Sequence, residues 1–124
     1  METKILIIDD EPSFCAVLQR ILQEEGHSVL TATTGWEGIV KAKQSHPDLI
    51  FLDLNMPVMD GITCLRWLHR TCRASKIVVL TGFGTLKTAK EAQRRGAYDY
   101  PAKPFDLKLI RELIQEVARQ RGTK

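Results

Sequence analysis

Three short runs, "KILII" (4–8), "DLIFLD" (48–53) and "KIVVLT" (76–81), are apolar almost throughout and rich in β-branched residues. A strand with one wet face alternates apolar and polar side chains, whereas a strand without alternation needs cover on both faces. That requirement is met by a parallel sheet, because each crossover between parallel neighbours lays a helix on one face or the other.

The intervening segments supply such helices. "DDEP" ends the first run, and Pro12 suits the first turn of a helix. Phe14, Val17, Leu18, Ile21 and Leu22 recur at helical spacing before Gly26 stops the helix. "SVLTAT" (28–33) reads as a second strand, and Thr34 with Glu37 has the spacing of a capping box for a helix to about Ser45. After the third run comes the turn-rich "LNMPVMDG", then Ile62, Leu65 and Leu68 at helical spacing. A helix over 85–95 follows "KIVVLT"; its apolar side is Leu86, Ala89 and Ala92, so it buries little and should be weakly held. "AYDYPAK" (97–103) reads as a short fifth strand, and Leu109, Ile110, Leu113, Ile114 and Val117 line a last helix.

Five strands alternating with five helices predict an α/β fold, a (βα)5 three-layer sandwich. Right-handed crossovers leave few topologies, among them the flavodoxin-like order 2-1-3-4-5. Pro101 fits the fifth strand at an edge, where a missing donor is tolerated. With no linker or repeat, residues 1–124 read as one domain, about 119–124 being a short basic tail.

Composition narrows the class. A net charge of +3 is too small to argue for direct nucleic-acid binding. No apolar run approaches the roughly 18 residues of a membrane span and no signal peptide opens the chain, so a cytoplasmic protein without membrane contact is expected. Cys15, Cys64 and Cys72 lack C-x-x-C spacing and read as reduced structural thiols. His27, His46 and His69 are too scattered for a zinc site.

In folds of this kind the functional crevice lies beyond the carboxyl ends of the strands. Those ends carry Asp9 and Asp10, Asp53, Thr81 and Lys103. One acid there is a common helix cap, but three carboxylates, a hydroxyl and an ammonium at one sheet edge need another explanation. Packed carboxylates require a cation, and an all-oxygen donor set suits Mg2+, which bridges carboxylates to phosphate. Carboxylates also act as nucleophiles in phosphoryl transfer, with Thr81 and Lys103 placed to meet the phosphoryl oxygens.

With "ILIIDDEP", "LIFLDLNMPVMDG", "VVLTGFG" and "GAYDYPAKPFD" in order, the chain resembles the receiver domain of two-component response regulators over essentially its whole length. The resemblance implies Asp53 as phosphoacceptor, receiving its group from a sensor histidine kinase or a phosphotransfer protein. It implies Mg2+ ligated by the side chains of Asp10 and Asp53 and the carbonyl of Asn55, with Asp9 acting largely through water. Lys103 would pair with the carboxylate and then the phosphate, Thr81 would swing toward the phosphoryl oxygen, and Tyr100 would be the aromatic switch residue. It also implies a cis bond before Pro104.

The residues leave other readings at several places. Tyr100 could be an edge-strand packing aromatic; Glu11 reads as a first-turn helix charge, Trp36 and Trp67 as packing residues, Met56 and Met59 as loop cover. Pro101 departs from the family's usual aliphatic residue. The family tunes dephosphorylation at Asn55 and Phe83, and neither side chain readily orients a water, so a long-lived phosphoryl group is expected.

Two rival functions share the fold or the chemistry. An aspartate-nucleophile phosphohydrolase needs a second acid in a D-x-D pair, absent from "DLN", so no enzyme turning over an outside substrate is expected. A phosphorylation-independent interaction module would leave the acids unused. For a working receiver, the weakly held helix over 85–95, the fifth strand and the last helix form the surface that switches. That surface would engage an output partner or a second copy as a homodimer, and an effector domain beyond Lys124 that regulates transcription is a further expectation.

Overall fold

The computed structural model describes residues 3–53, 61–80 and 107–122. Among them, strands β1 (Lys4–Ile8), β2 (Ser28–Ala32), β3 (Leu49–Asp53) and β4 (Lys76–Leu80) form one sheet in the order β2-β1-β3-β4. Every adjacent pair is parallel. Helices α1 (Pro12–Glu24), α2 (Gly35–Ser45), α3 (Gly61–Thr71) and α4 (Leu107–Gly122) complete the described elements. This is the flavodoxin-like order expected from the sequence. The helix expected over 85–95 and the strand over 97–103, Pro101 included, lie outside the described residues.

The unbroken apolar runs are explained by a period-two division between two cores. Leu6, Ile8, Ile50, Leu52, Ile77 and Val79 meet Ile39 and Ala42 of α2 and Cys64, Leu65 and Leu68 of α3. Ile5, Ile7, Leu49, Phe51 and Val78 meet Cys15, Leu18 and Leu22 of α1 and Ile110, Leu113, Ile114 and Val117 of α4. Burying one such side chain contributes about 1.5–3 kcal/mol, so a polar residue on either face of these strands would forfeit it.

Local signals set the helix ends. Gly26, with φ +92°, donates to the Gln23 carbonyl at 3.0 Å, a left-handed stop that glycine adopts without strain. Thr34 caps α2 by accepting from the Glu37 amide at 3.1 Å. The Glu37 carboxylate, however, accepts from the Thr33 amide at 2.8 Å, one residue before the cap. The box is therefore reciprocal but displaced by a residue.

Four expectations need correction. Glu11 is the N-cap residue of α1, not part of its first turn, and makes no side-chain cap bond. Val17 is 61% exposed, because the stripe that α1 buries is Cys15, Leu18 and Leu22. Trp36 and Trp67 stand 56% and 46% exposed: α2 packs through its small residues Gly35, Gly38 and Ala42 with Ile39, and α3 through Cys64, Leu65 and Leu68. Helix α4 also continues to Gly122, taking in most of the segment read as a tail. Among the described residues no helix is long and apolar enough to cross a membrane.

Candidate functional site at the strand ends

The register of β1 and β3 pairs Ile8 with Leu52. The next residue of each chain is an aspartate, so Asp9 and Asp53 emerge at one level on neighbouring strands. Asp10 follows directly. The ligand-forming carboxylate oxygens of Asp9, Asp10 and Asp53 all lie within 4.8 Å of one another. Asp9 and Asp53 are buried, and Asp10 is partly exposed.

Backbone bonds hold this corner. The Asp9 amide donates to the Ala32 carbonyl at 3.0 Å, extending the β1–β2 ladder by one residue. Asp9 Oδ1 accepts from the Glu11 amide at 3.0 Å, an aspartate turn that reverses the chain just before Pro12 starts α1. From the first turns of α1, Cys15 Sγ donates to the Asp9 carbonyl at 3.4 Å. Asp53 is fixed differently, as the last residue of β3, paired in register with Leu80 of β4.

Two unit charges at such separations repel by about 3–4 kcal/mol at an effective dielectric of ~20. Burial of two of the three adds a desolvation cost, which a bound cation offsets. Three carboxylates form a hard, all-oxygen donor set, which suits Mg2+ or Ca2+ and not a thiolate-seeking metal. The acids likewise disfavour a bare anion, so a phosphoryl group would enter together with a metal.

The structure thus brings together Asp9, Asp10 and Asp53. Asn55, Thr81, Phe83, Tyr100 and Lys103, and the bond before Pro104, lie outside the described residues. The positioning by the Glu11 amide and by Cys15 was not read from the sequence. Its signal was present: an acid two residues before a proline-led helix, with an apolar-face cysteine on that helix.

Residues 5–115 match the family model of the response regulator receiver domain. Sporulation initiation phosphotransferase F of Bacillus subtilis is 31% identical over 116 residues, 94% of each chain. The transcriptional regulatory protein ZraR of Salmonella typhimurium is 34% identical over 112 residues, 90% of this chain. This chain spans about a quarter of ZraR's length, since the match covers 25% of that protein. Among solved structures, a two-component response regulator from Clostridium difficile superposes with a TM-score of 0.92 at 30% identity, covering 98% of this chain and 99% of that one. A CheY-like receiver domain from Methanospirillum hungatei gives 0.88 at 28%, covering 97% and 99%. With the parallel sheet, the acid cluster at its edge and a family match over nearly the whole length, the chain belongs to the receiver domains of two-component response regulators.

Proposed function

We propose that Asp53 accepts a phosphoryl group from the phosphohistidine of a sensor kinase or phosphotransfer protein, and that the domain thereby controls an output partner. The convergence of Asp9, Asp10 and Asp53 within 4.8 Å supports this reading. Receiver domains bind Mg2+ at acidic residues, and this donor set fits one. Asp10 and Asp53 would hold the ion through side chains, Asn55 through its carbonyl and Asp9 largely through water. Bound there, Mg2+ would offset the charge of the carboxylates and the incoming phosphoryl oxygens.

The division of labour follows from how each acid is held. Asp9 is committed in part to the Glu11 amide. Asp53 has a backbone fixed in the sheet. One Asp53 oxygen attacks phosphorus, the donor's P–N bond breaks with its electron pair returning to the imidazole, and an acyl phosphate results. Lys103 and Thr81 would take the phosphoryl oxygens, and Tyr100 would report the change to the surface formed by residues 85–103 and α4. In this reading no outside substrate is turned over, and the domain acts as a phosphorylation switch in the cytoplasm. Its output is a partner, a second copy or an effector segment beyond Lys124.

The phosphodonor has to dock beside the acids, where α1 begins. There Phe14, Val17, Leu18, Ile21 and Leu107 line a shallow, nearly apolar groove. Exposed Val17 is suited to meet a helical partner at this place.

Mixing the protein with a phosphorylated histidine phosphotransfer protein and Mg2+ tests the reading. Transfer of label to the wild type, lost in Asp53→Asn and with EDTA, is expected. Transfer that survives Asp53→Asn would refute it.

A further inference from the structure

At the end of the sheet opposite the acids, the C-terminal end of α1, the approaches to β1 and β2, and α4 enclose a cleft of about 530 Å3. Ligand pockets commonly measure ~300–1,000 Å3. The lining is rich in donors: His27, Arg111, Gln115 and Arg119. Glu25 is the carboxylate among the described lining residues, and its Oε2 accepts from Arg111 Nε at 2.9 Å and Nη2 at 2.7 Å. A guanidinium carries five N–H groups, so the pair with Glu25 uses only part of Arg111.

Arg111, Gln115 and Arg119 recur every four residues and therefore form one row along α4. At a rise of ~1.5 Å per residue, the two arginines start about 12 Å apart along the axis. Ile114 and Ala118 supply an apolar wall beside the row. The cleft also holds a polar group in need of a partner. Thr3 is fully buried and lines the cleft, and among the described residues its Oγ1 has no hydrogen-bond partner. The Thr3 amide, in contrast, donates to His27 Nδ1 at 3.4 Å. Leaving a buried hydroxyl unpaired costs about 1–3 kcal/mol, which a ligand oxygen in the cleft would remove.

We propose that this cleft is a binding site for a small polyanion of the polyphosphate or polycarboxylate class. Arg111 and Arg119 outnumber Glu25, so the described lining carries a net positive charge before any contribution from His27. Separate anionic groups on one ligand answer the two arginines, and the Thr3 hydroxyl completes the set. Such a ligand bridges α1 to α4, which share one core, and stabilises the domain by mass action. The inference does not depend on phosphorylation of Asp53.

The test is an NMR titration of the full chain without Mg2+, using sodium triphosphate, citrate and orthophosphate as probes. Saturable shifts at the amides of Thr3, His27, Arg111 and Gln115 are expected with triphosphate or citrate, and whichever is stronger identifies the class. Orthophosphate, a single anion, should bind at least about tenfold more weakly. Arg119→Ala, an exposed change that leaves the fold intact, should weaken binding about tenfold, and Thr3→Val by a smaller factor. Arg20→Ala, on the exposed side of α1, should change nothing. Shifts that never saturate, or an equal loss in Arg20→Ala and Arg119→Ala, would mean general charge screening and overturn the proposal.

Discussion

Gly38 of α2 packs directly on Ile8, the last residue of β1: a Cβ added to the glycine would run into Ile8 Cδ1 and lie 2.7 Å from Cγ1 and 3.1 Å from Cγ2. Only a hydrogen fits there, and Ile8 is the residue immediately before Asp9. Gly38→Ala is expected to lose about 1–3 kcal/mol to overpacking, less up to ~1 kcal/mol regained from helix propensity. Urea denaturation measures the net. Ile8→Val should partly relieve the clash, so the double variant should be more stable than the sum of the two single changes. Strict additivity would show that the two positions do not interact.

Asp10 tests the meaning of the acid cluster, because it is the partly exposed member and can be removed without opening the core. Asp10→Ala should weaken Mg2+ binding at least about tenfold, the loss of one charged ligand. In EDTA the same variant should be more stable than the wild type by roughly 1 kcal/mol, because repulsion among the carboxylates is relieved. Calorimetry with Mg2+ and thermal melts in EDTA check the two halves. A variant destabilised in EDTA would mean that Asp10 is a structural acid.

Much of this was legible in the sequence, for a physical reason. Strands such as "LIFLD" are buried on both faces, and their composition records it directly; the strand ends then place Asp9 and Asp53 together once the sheet order is known. What period alone does not encode is which flank of a helix meets a neighbour. Val17, Trp36 and Trp67 occupy apolar-stripe margins, and only the packing of α1, α2 and α3 reveals that they face outward. Long-range polar pairs are equally silent. Glu25 and Arg111 are 86 residues apart, and nothing local to either announces the other. The cleft they border was invisible for the same reason.

That pair carries a pH signature. Hydrogen bonding from Arg111 holds the Glu25 carboxyl below its ordinary 4.5, against a smaller opposing effect of burial. A depressed folded-state value stabilises the protein above the unfolded value, and the contribution is lost as pH falls through the folded one. Compared with Glu25→Gln, the wild type should therefore be slightly more stable at neutral pH, and the difference should close as the pH drops below 4.5. The gain is modest, because both side chains retain substantial exposure. Melting curves of the two proteins across acid pH would show the convergence. A gap that widens toward low pH would contradict the pairing.

The phosphoryl group on this domain should persist. We propose that Asn55 and Phe83 set the dephosphorylation rate, since neither side chain type readily aligns a water for attack. After phosphorylation with acetyl phosphate and removal of the donor, decay should take minutes or longer. Replacing Phe83 with a polar, water-orienting glutamine should shorten it. Decay within seconds in the wild type would reject the idea.

The most direct measurement is the location of the phosphoryl group. Protein treated with acetyl phosphate and Mg2+, then reduced with borohydride, converts an aspartyl phosphate to homoserine at the modified position, which peptide mass spectrometry identifies. The account predicts homoserine at Asp53 in the wild type, and none in protein treated with EDTA or in Asp53→Asn. Homoserine at Asp9 or Asp10 with Asp53 unmodified, or no modification at any residue, would contradict it.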